Sequence, residues 1–208
     1  MRVRTFPLGP LSTNCYVLST GKRAVVVDPG GPPASVLAFL RDQGLTLECI
    51  VNTHFHFDHI LGNKALAEAT GVPILASPLD AFLLETEFGG GGFMGLPVIE
   101  RFAWEPLAPG EREFMGCACR VLATPGHSPG GLSLYFPDEE GTGGLVCVGD
   151  LLFKRSIGRT DFPGGDLEAL LNAVVNEIFV LPDSVVVYPG HGPETTVADE
   201  RNHNPFFQ

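Results

Sequence analysis

The chain has 208 residues, 44% of them hydrophobic, a length that suits one domain or a domain with a small appendage. No apolar run approaches the ~20 residues that span a bilayer, so a membrane protein is not expected. With 24 acidic against 13 basic residues the formal net charge is -11, and no Lys or Arg cluster supplies the basic footprint that a nucleic-acid partner requires. The N-terminal Met1–Pro7 carries two arginines but no apolar h-region follows, so no signal peptide is expected. The cysteines at 15, 49, 117, 119 and 147 are odd in number and scattered, which points to a reducing compartment, by default the cytoplasm. Cys15, Cys49 and Cys147 read as small core residues, and no second pair completes a zinc site with Cys117 and Cys119.

In chain order, strands are expected over 14–19 and 24–28, joined by the Gly21-Lys22 turn. Pro32 and Pro33 open a helix carrying Val36, Leu37, Phe39 and Leu40, closed by Gly44. Residues 48–52 form a short buried strand, 60–70 a helix ended by Gly71, 72–75 a strand and 78–87 a helix. The Gly89–Gly92 run is expected to lie outside regular structure, since each glycine costs roughly 1 kcal/mol in a helix interior. It is either a plain surface loop or a mobile lid whose apolar tip is Phe93-Met94. Strands return at 119–123, 131–136 and 145–148, Asp166 caps a helix with Leu167, Leu170, Leu171, Val174 and Ile178, and 184–187 is the last strand. This order fits two sheets packed face to face with helices outside.

The segment His54-Phe55-His56-Phe57-Asp58-His59 holds three of the six histidines. Imidazole nitrogen and carboxylate oxygen are ligands for a borderline divalent metal such as zinc. In an extended segment residues 54, 56 and 58 point one way and His59 is turned aside, which suggests two ligand sets and two neighbouring metals. Three further candidates each follow a glycine at the end of an apolar run: Gly126-His127, Gly149-Asp150 and Gly190-His191. Strand ends present side chains rigidly, and glycine lets backbone approach closely. His203, in a polar tail before Pro205, reads as structural rather than as a ligand.

The order His-x-His-x-Asp-His, Gly-His, Gly-Asp, Gly-His resembles the metallo-β-lactamase superfamily, over nearly the whole chain from Val27-Asp28-Pro29-Gly30 onward. Within it, Gly158-Arg159-Thr160-Asp161-Phe162 and Arg201-Asn202-His203-Asn204-Pro205-Phe206 look like the glyoxalase II (hydroxyacylglutathione hydrolase) group and its persulfide-dioxygenase relatives. The resemblance implies an α/β fold, a four-layer αββα sandwich, as a single domain over 1–208. It implies two divalent metal ions, zinc first with iron or manganese open. His54, His56 and His127 would hold one, Asp58, His59 and His191 the other, and Asp150 would bridge. The implied activity is a metal-dependent thioester hydrolase. A metal-bridging hydroxide would attack the carbonyl of S-2-hydroxyacylglutathione or a related small thioester, with Asp58 also orienting the nucleophile.

Asp28 either fixes a histidine tautomer or closes its strand as a turn residue. Arg159 matches the family's basic residue that contacts the glutathione carboxylate; it either grips substrate or forms an ion pair with Asp161 or Asp166. An aromatic residue expected at 161 and a tyrosine expected soon after His191 are absent, and no helical glutathione-binding domain is expected after Gln208. A mononuclear iron persulfide dioxygenase using His54, His127 and Asp150 is the rival, with a non-catalytic metal-binding or sensor protein behind it. A β-lactamase is disfavoured, because Asp150 stands where those enzymes commonly carry cysteine.

Overall fold

An edge strand that the sequence hid opens the chain. In the computed structural model, which describes residues 1–208, β1 (Arg2–Leu8) pairs antiparallel with β2 (Thr13–Thr20), from Arg2 opposite Ser19 to Leu8 opposite Thr13. Charged Arg2 and Arg4 and the proline at 7 mask the usual strand signature, yet both are at home on an edge, where Pro forfeits no ladder bond. The chain divides into two compact units, Met1–Leu107 with Glu113–Cys117, and Ala108–Arg112 with Ala118–Gln208.

In the first unit, β1, β2, β3 (Arg23–Val27), β4 (Thr46–Val51), β5 (Ile74–Ala76) and β6 (Glu105–Pro106) lie in that order in one sheet. Pairing is antiparallel through β3 and parallel from β3 onward. The parallel crossovers need intervening helices: α1 (Ala34–Gln43) before β4, then α2 (Phe57–Ile60) and α3 (Asn63–Thr70) before β5. Gly44 and Gly71 end α1 and α3 in the left-handed conformation. Cys15, Val17, Val26, Ile50, Leu66 and Ile74 form the core of this unit.

Two expectations change here. The helix expected over 78–87 is a 3-10 helix that ends at residue 85, with Pro78 at its start and the Ser77 hydroxyl accepting from the Leu79 amide. The glycine run is partly regular, since α4 (Glu87–Gly90) takes in Gly89 and Gly90. A Cβ at Gly89 would stand 2.5 Å from the Leu83 carbonyl oxygen and 2.8 Å from that of Phe55. Close backbone approach accounts for that glycine, which helix propensity by itself does not capture. The loop then closes on itself through Gly92 N to Pro97 O at 3.1 Å and Ile99 N to Gly90 O at 2.8 Å.

The second sheet has the order β14-β13-β10-β9-β8-β7. Its strands are β7 (Gly110–Phe114), β8 (Cys117–Ala123), β9 (Leu132–Pro137), β10 (Gly144–Gly149), β13 (Val186–Pro189) and β14 (Thr195–Thr196), with the hairpin β11 (Leu152–Phe153) and β12 (Ser156–Ile157) standing apart. Asp166 caps α5 (Leu167–Ala173) by accepting from the Ala169 amide at 3.0 Å, and the chain runs on through one π-turn, Val174–Ile178. Val146, Val148, Leu170, Val174, Ile178 and Val187 form the core of this unit. No helix is long and apolar enough to cross a membrane.

The C-terminal helix α6 (Val197–His203) carries a wholly buried acid, Glu200. Its carboxylate accepts from the Arg155 amide (2.8 Å) and guanidinium (2.7 Å), the Thr195 hydroxyl (2.7 Å) and Asn204 Nδ2 (2.9 Å). Asn204 also donates to Ser156 O at 3.0 Å, so the network pins the β11–β12 hairpin. Glu200→Ala takes the acceptor from the Arg155 amide, leaves the Thr195 hydroxyl only a 3.3 Å contact to Asp199 and removes one of the Asn204 acceptors, at roughly 1–3 kcal/mol for each buried group left unsatisfied. The expected result is a loss of about 3 kcal/mol or more by urea denaturation; an unshifted midpoint would contradict it.

Candidate metal centre

In the first unit the histidine segment leaves β4 through Asn52 and Thr53, and His54, His56, Asp58 and His59 are all buried. His56 keeps extended backbone (ψ 144) as the cap of α2, and a helical turn begins at Phe57. Asp58 and His59 are therefore presented by a helical turn and not by a continued extended segment, which corrects the alternation expected for 54, 56 and 58. The turn is held by His59 N to His56 O at 3.0 Å and by Asn52 Nδ2 to His59 O at 3.3 Å. Ring centroids of His54 lie 4.7 Å from His56 and 4.1 Å from His59, and His59 Nε2 is 3.6 Å from Asp58 Oδ2.

Asp28 proves to serve both roles that the sequence left open. It turns the chain with φ 49, and its buried carboxylate supports two imidazoles. Oδ2 lies 2.9 Å from His59 Nδ1 and accepts from the Thr53 hydroxyl at 2.6 Å, while Oδ1 accepts from the Thr53 amide at 2.8 Å. With its proton committed to Asp28, the Thr53 hydroxyl accepts from His54 Nδ1 at 3.0 Å. Both rings are thereby fixed with the proton on Nδ1 and the lone pair on Nε2, the tautomer that a metal ligand needs. The ligating atoms of Asp28, His54 and His59 lie within 4.8 Å of one another, but the Asp28 oxygens are engaged in this support. Thr13 donates to Asp58 Oδ2 at 2.7 Å, and Asp80 accepts from the Phe55 amide at 3.3 Å. Thr13, Thr53 and Asp80 carried no signal in the sequence, being isolated polar residues in ordinary strand and turn contexts.

In the second unit His127, Asp150 and His191 follow β8, β10 and β13. Asp150 Oδ2 lies 3.6 Å from His127 Nε2 and 3.6 Å from His191 Nε2. His127 Nδ1 donates to the Arg159 carbonyl at 2.7 Å, which again leaves the lone pair on Nε2. A Cβ at Gly158 would meet the Asp150 carbonyl oxygen at 1.8 Å, so only glycine lets the chain pass there on its way to Arg159. Imidazole and carboxylate donors with tautomers fixed from behind fit a divalent zinc, iron or manganese ion in both units.

The Arg159 side chain is exposed and forked onto Asp161, Nε to Oδ1 at 2.7 Å and Nη2 to Oδ2 at 2.6 Å, with its guanidinium carbon 3.9 Å from the Phe162 ring centre. Of the two acids open to it, Asp161 is the partner. The guanidinium holds the Asp161 carboxyl down to about 2. A depressed acid contributes its pairing above its ordinary pKa and loses it only as pH falls through about 2, so the pair persists throughout the neutral range. The cysteines are free thiols; burial pushes Cys15 well up and Cys49 to about 12, which makes both inert. His203 is exposed and contacts the Asp199 carbonyl at 3.1 Å, outside both donor sets.

Two mixed sheets and these donor sets define a class. Residues 8–191 match the profile of the metallo-beta-lactamase superfamily; the chain belongs to that superfamily and has its fold, and the match supports a metal-dependent hydrolase. It is 35% identical to the probable metallo-hydrolase YqgX of Bacillus subtilis, covering 100% of this chain and 98% of that one. It is 31% identical to the hydroxyacylglutathione hydrolase GloC of Haemophilus influenzae, again over 100% and 98%. Among solved structures, BLEG-1, described as a B3 metallo-beta-lactamase, matches with TM-score 0.91 and 36% identity over the whole of both chains. TTHA1623 in a di-iron-bound form matches with TM-score 0.85 and 39% identity, over 98% of this chain and 99% of that one.

Proposed function

We propose that the protein is a metal-dependent thioester hydrolase acting on S-2-hydroxyacylglutathione or a related small thioester. The observation that carries this is the full-length similarity to the Haemophilus hydroxyacylglutathione hydrolase, which is matched over 98% of its own length. A protein of that name is thus no longer than this fold, and a further helical domain is not a requirement of the reading. The five free thiols favour a reducing compartment, the cytoplasm.

In this reading His54, His56 and His127 hold one ion, Asp58, His59 and His191 the other, and Asp150 is shared. Supporting it, Asp150 Oδ2 is equidistant from two imidazole nitrogens, and a relative 39% identical has been seen with two irons. Bound divalent ions would lower the pKa of water from 15.7 to about 7 and polarise the carbonyl. The chain's residues then orient and move protons. Asp58, its Oδ2 tethered by Thr13, aligns the attacking water and collects its proton, while the Asp28–Thr53 relay keeps the His54 and His59 rings in their ligating tautomer. A thiolate leaves without strong acid help, so no dedicated general acid is required.

Arg159 is proposed to grip a carboxylate of the thiol moiety, which requires it to exchange Asp161 for substrate. Asp161→Asn weakens that competitor and is expected to lower KM for S-lactoylglutathione by up to about fivefold at unchanged kcat, since an exposed charge pair competes by about 1 kcal/mol or less. An unchanged or raised KM in steady-state kinetics would remove Arg159 from the binding role. The reading as a whole is tested by metal analysis with hydrolysis of S-lactoylglutathione. Two ions per chain with thioesterase activity is the expected result. One iron per chain, with oxygen uptake on glutathione persulfide and no thioesterase activity, would sink it. The whole-chain match to BLEG-1 favours one second reading, attack on a β-lactam amide, and a kcat/KM for a β-lactam above that for the thioester would establish it instead.

A further inference from the structure

Eight of the 13 Lys and Arg residues are ion-paired, Arg23, Arg41, Lys64, Arg101, Arg120, Arg155, Arg159 and Arg201. Of the five that are not, Arg2, Arg4 and Lys22 line one groove of about 500 Å³ in the first unit, and no acid lines it with them. In a chain with 24 acidic residues this concentration of uncompensated cations is conspicuous.

The groove is also shaped. Arg2, Arg4 and Phe6 share a face of β1, two residues apart. Phe6 meets the Phe39 ring of α1 edge-on at 5.6 Å, and the Arg4 guanidinium carbon stands 5.7 Å from the Phe6 ring centre. An arginine held over an aromatic face keeps its in-plane N–H groups available for a forked anion. Lys22 is steadied by its bond to the Gln43 carbonyl at 3.1 Å and retains two further ammonium donors. Phe39 and Leu45 give the groove apolar lining.

We infer that this groove binds a small phosphorylated ligand carrying an apolar or aromatic group, with Arg2, Arg4 and Lys22 on its phosphates. Forked guanidinium contacts and charge-assisted bonds are the recurring means of holding phosphate. The site is separate from the metal donors. Lys22 precedes β3 and Asp28 follows it, six extended residues apart, about 20 Å at roughly 3.3 Å each. Charges on an edge strand also deter strand pairing between chains, but that role calls for neither the groove nor Lys22.

The test is calorimetric titration of ADP into the full, metal-loaded chain, its Arg2→Gln/Arg4→Gln/Lys22→Gln variant, and His56→Ala. The expected result is saturable binding that weakens at least tenfold in the triple variant and is unchanged in His56→Ala. The triple variant should keep the wild-type melting temperature and thioesterase activity. No saturable binding to the wild type, an unchanged affinity in the triple variant, or loss in His56→Ala instead would overturn the assignment. Self-association of the triple variant with undiminished ADP binding would assign the arginines to edge protection.

Discussion

Asp150→Ala is expected to lose metal from both proposed positions and to lower kcat/KM for the thioester by at least about 100-fold, since removal of mere supporting partners of metal ligands already costs about 10–100-fold. His191→Ala is expected to retain about one ion per chain. The difference follows from geometry. One Asp150 oxygen stands 3.6 Å from each of two imidazole nitrogens, so its carboxylate is the member of the donor set suited to sharing, whereas His191 offers a single nitrogen. His191 is also the more exposed, its side chain at 29% against 13% for Asp150, so its removal lets water replace a ligand at modest cost. Metal content by elemental analysis after dialysis, measured beside kcat/KM, separates the two. Equal metal loss from both variants would count against a shared Asp150, and full occupancy in Asp150→Ala would remove it from the donor set.

What the sequence disclosed was the donor chemistry, because core packing does not by itself crowd imidazoles together or repeat Gly-His and Gly-Asp at successive strand ends. What it concealed was support made by groups without side-chain signatures. Arg159 is conspicuous for its guanidinium, but the group that reaches a candidate ligand is its backbone carbonyl, 2.7 Å from His127 Nδ1, and every residue carries one of those. The position of that carbonyl depends in turn on Gly158 passing the Asp150 carbonyl and on the hairpin anchored by Glu200 and Asn204. Such long-range pairs leave no periodicity to read. Strand-like alternation breaks at Phe57 for a related reason: a single helical turn is shorter than any window in which a 3.6-residue period emerges. The edge strand β1 was obscured because its charges and proline suit an edge. The main strands and the α1 and α5 helices, whose apolar patterns repeat over several residues, were legible within a residue or two.

The other large effect is expected at Asp28. Asp28→Ala should cost several kcal/mol of stability and, in protein that still folds, weaken metal binding about 10–100-fold. Three donors lose their acceptor at once, the Thr53 amide, the Thr53 hydroxyl and His59 Nδ1, and the surrounding residues are buried, so water cannot replace it. At roughly 1–3 kcal/mol for each buried unsatisfied group, the sum approaches the 5–15 kcal/mol that holds a typical domain folded. Alanine is also strained at the left-handed φ of 49 that Asp28 adopts, where Asp and Asn are the better tolerated side chains. Asp28→Asn is therefore the informative variant. It keeps the backbone and one acceptor oxygen but turns an NH2 group toward one of the donors, so the His59 and His54 tautomers are no longer both dictated. If Asp28 acts only as a turn residue, Asp28→Asn will match the wild type in metal affinity as well as in melting temperature. If it positions the imidazoles, metal affinity falls about tenfold or more while most of the stability lost in Asp28→Ala is recovered. Chelator competition for the metal, read beside thermal unfolding of the metal-free protein, tells these outcomes apart, because a turn role leaves the metal affinity of Asp28→Asn unchanged and a positioning role does not.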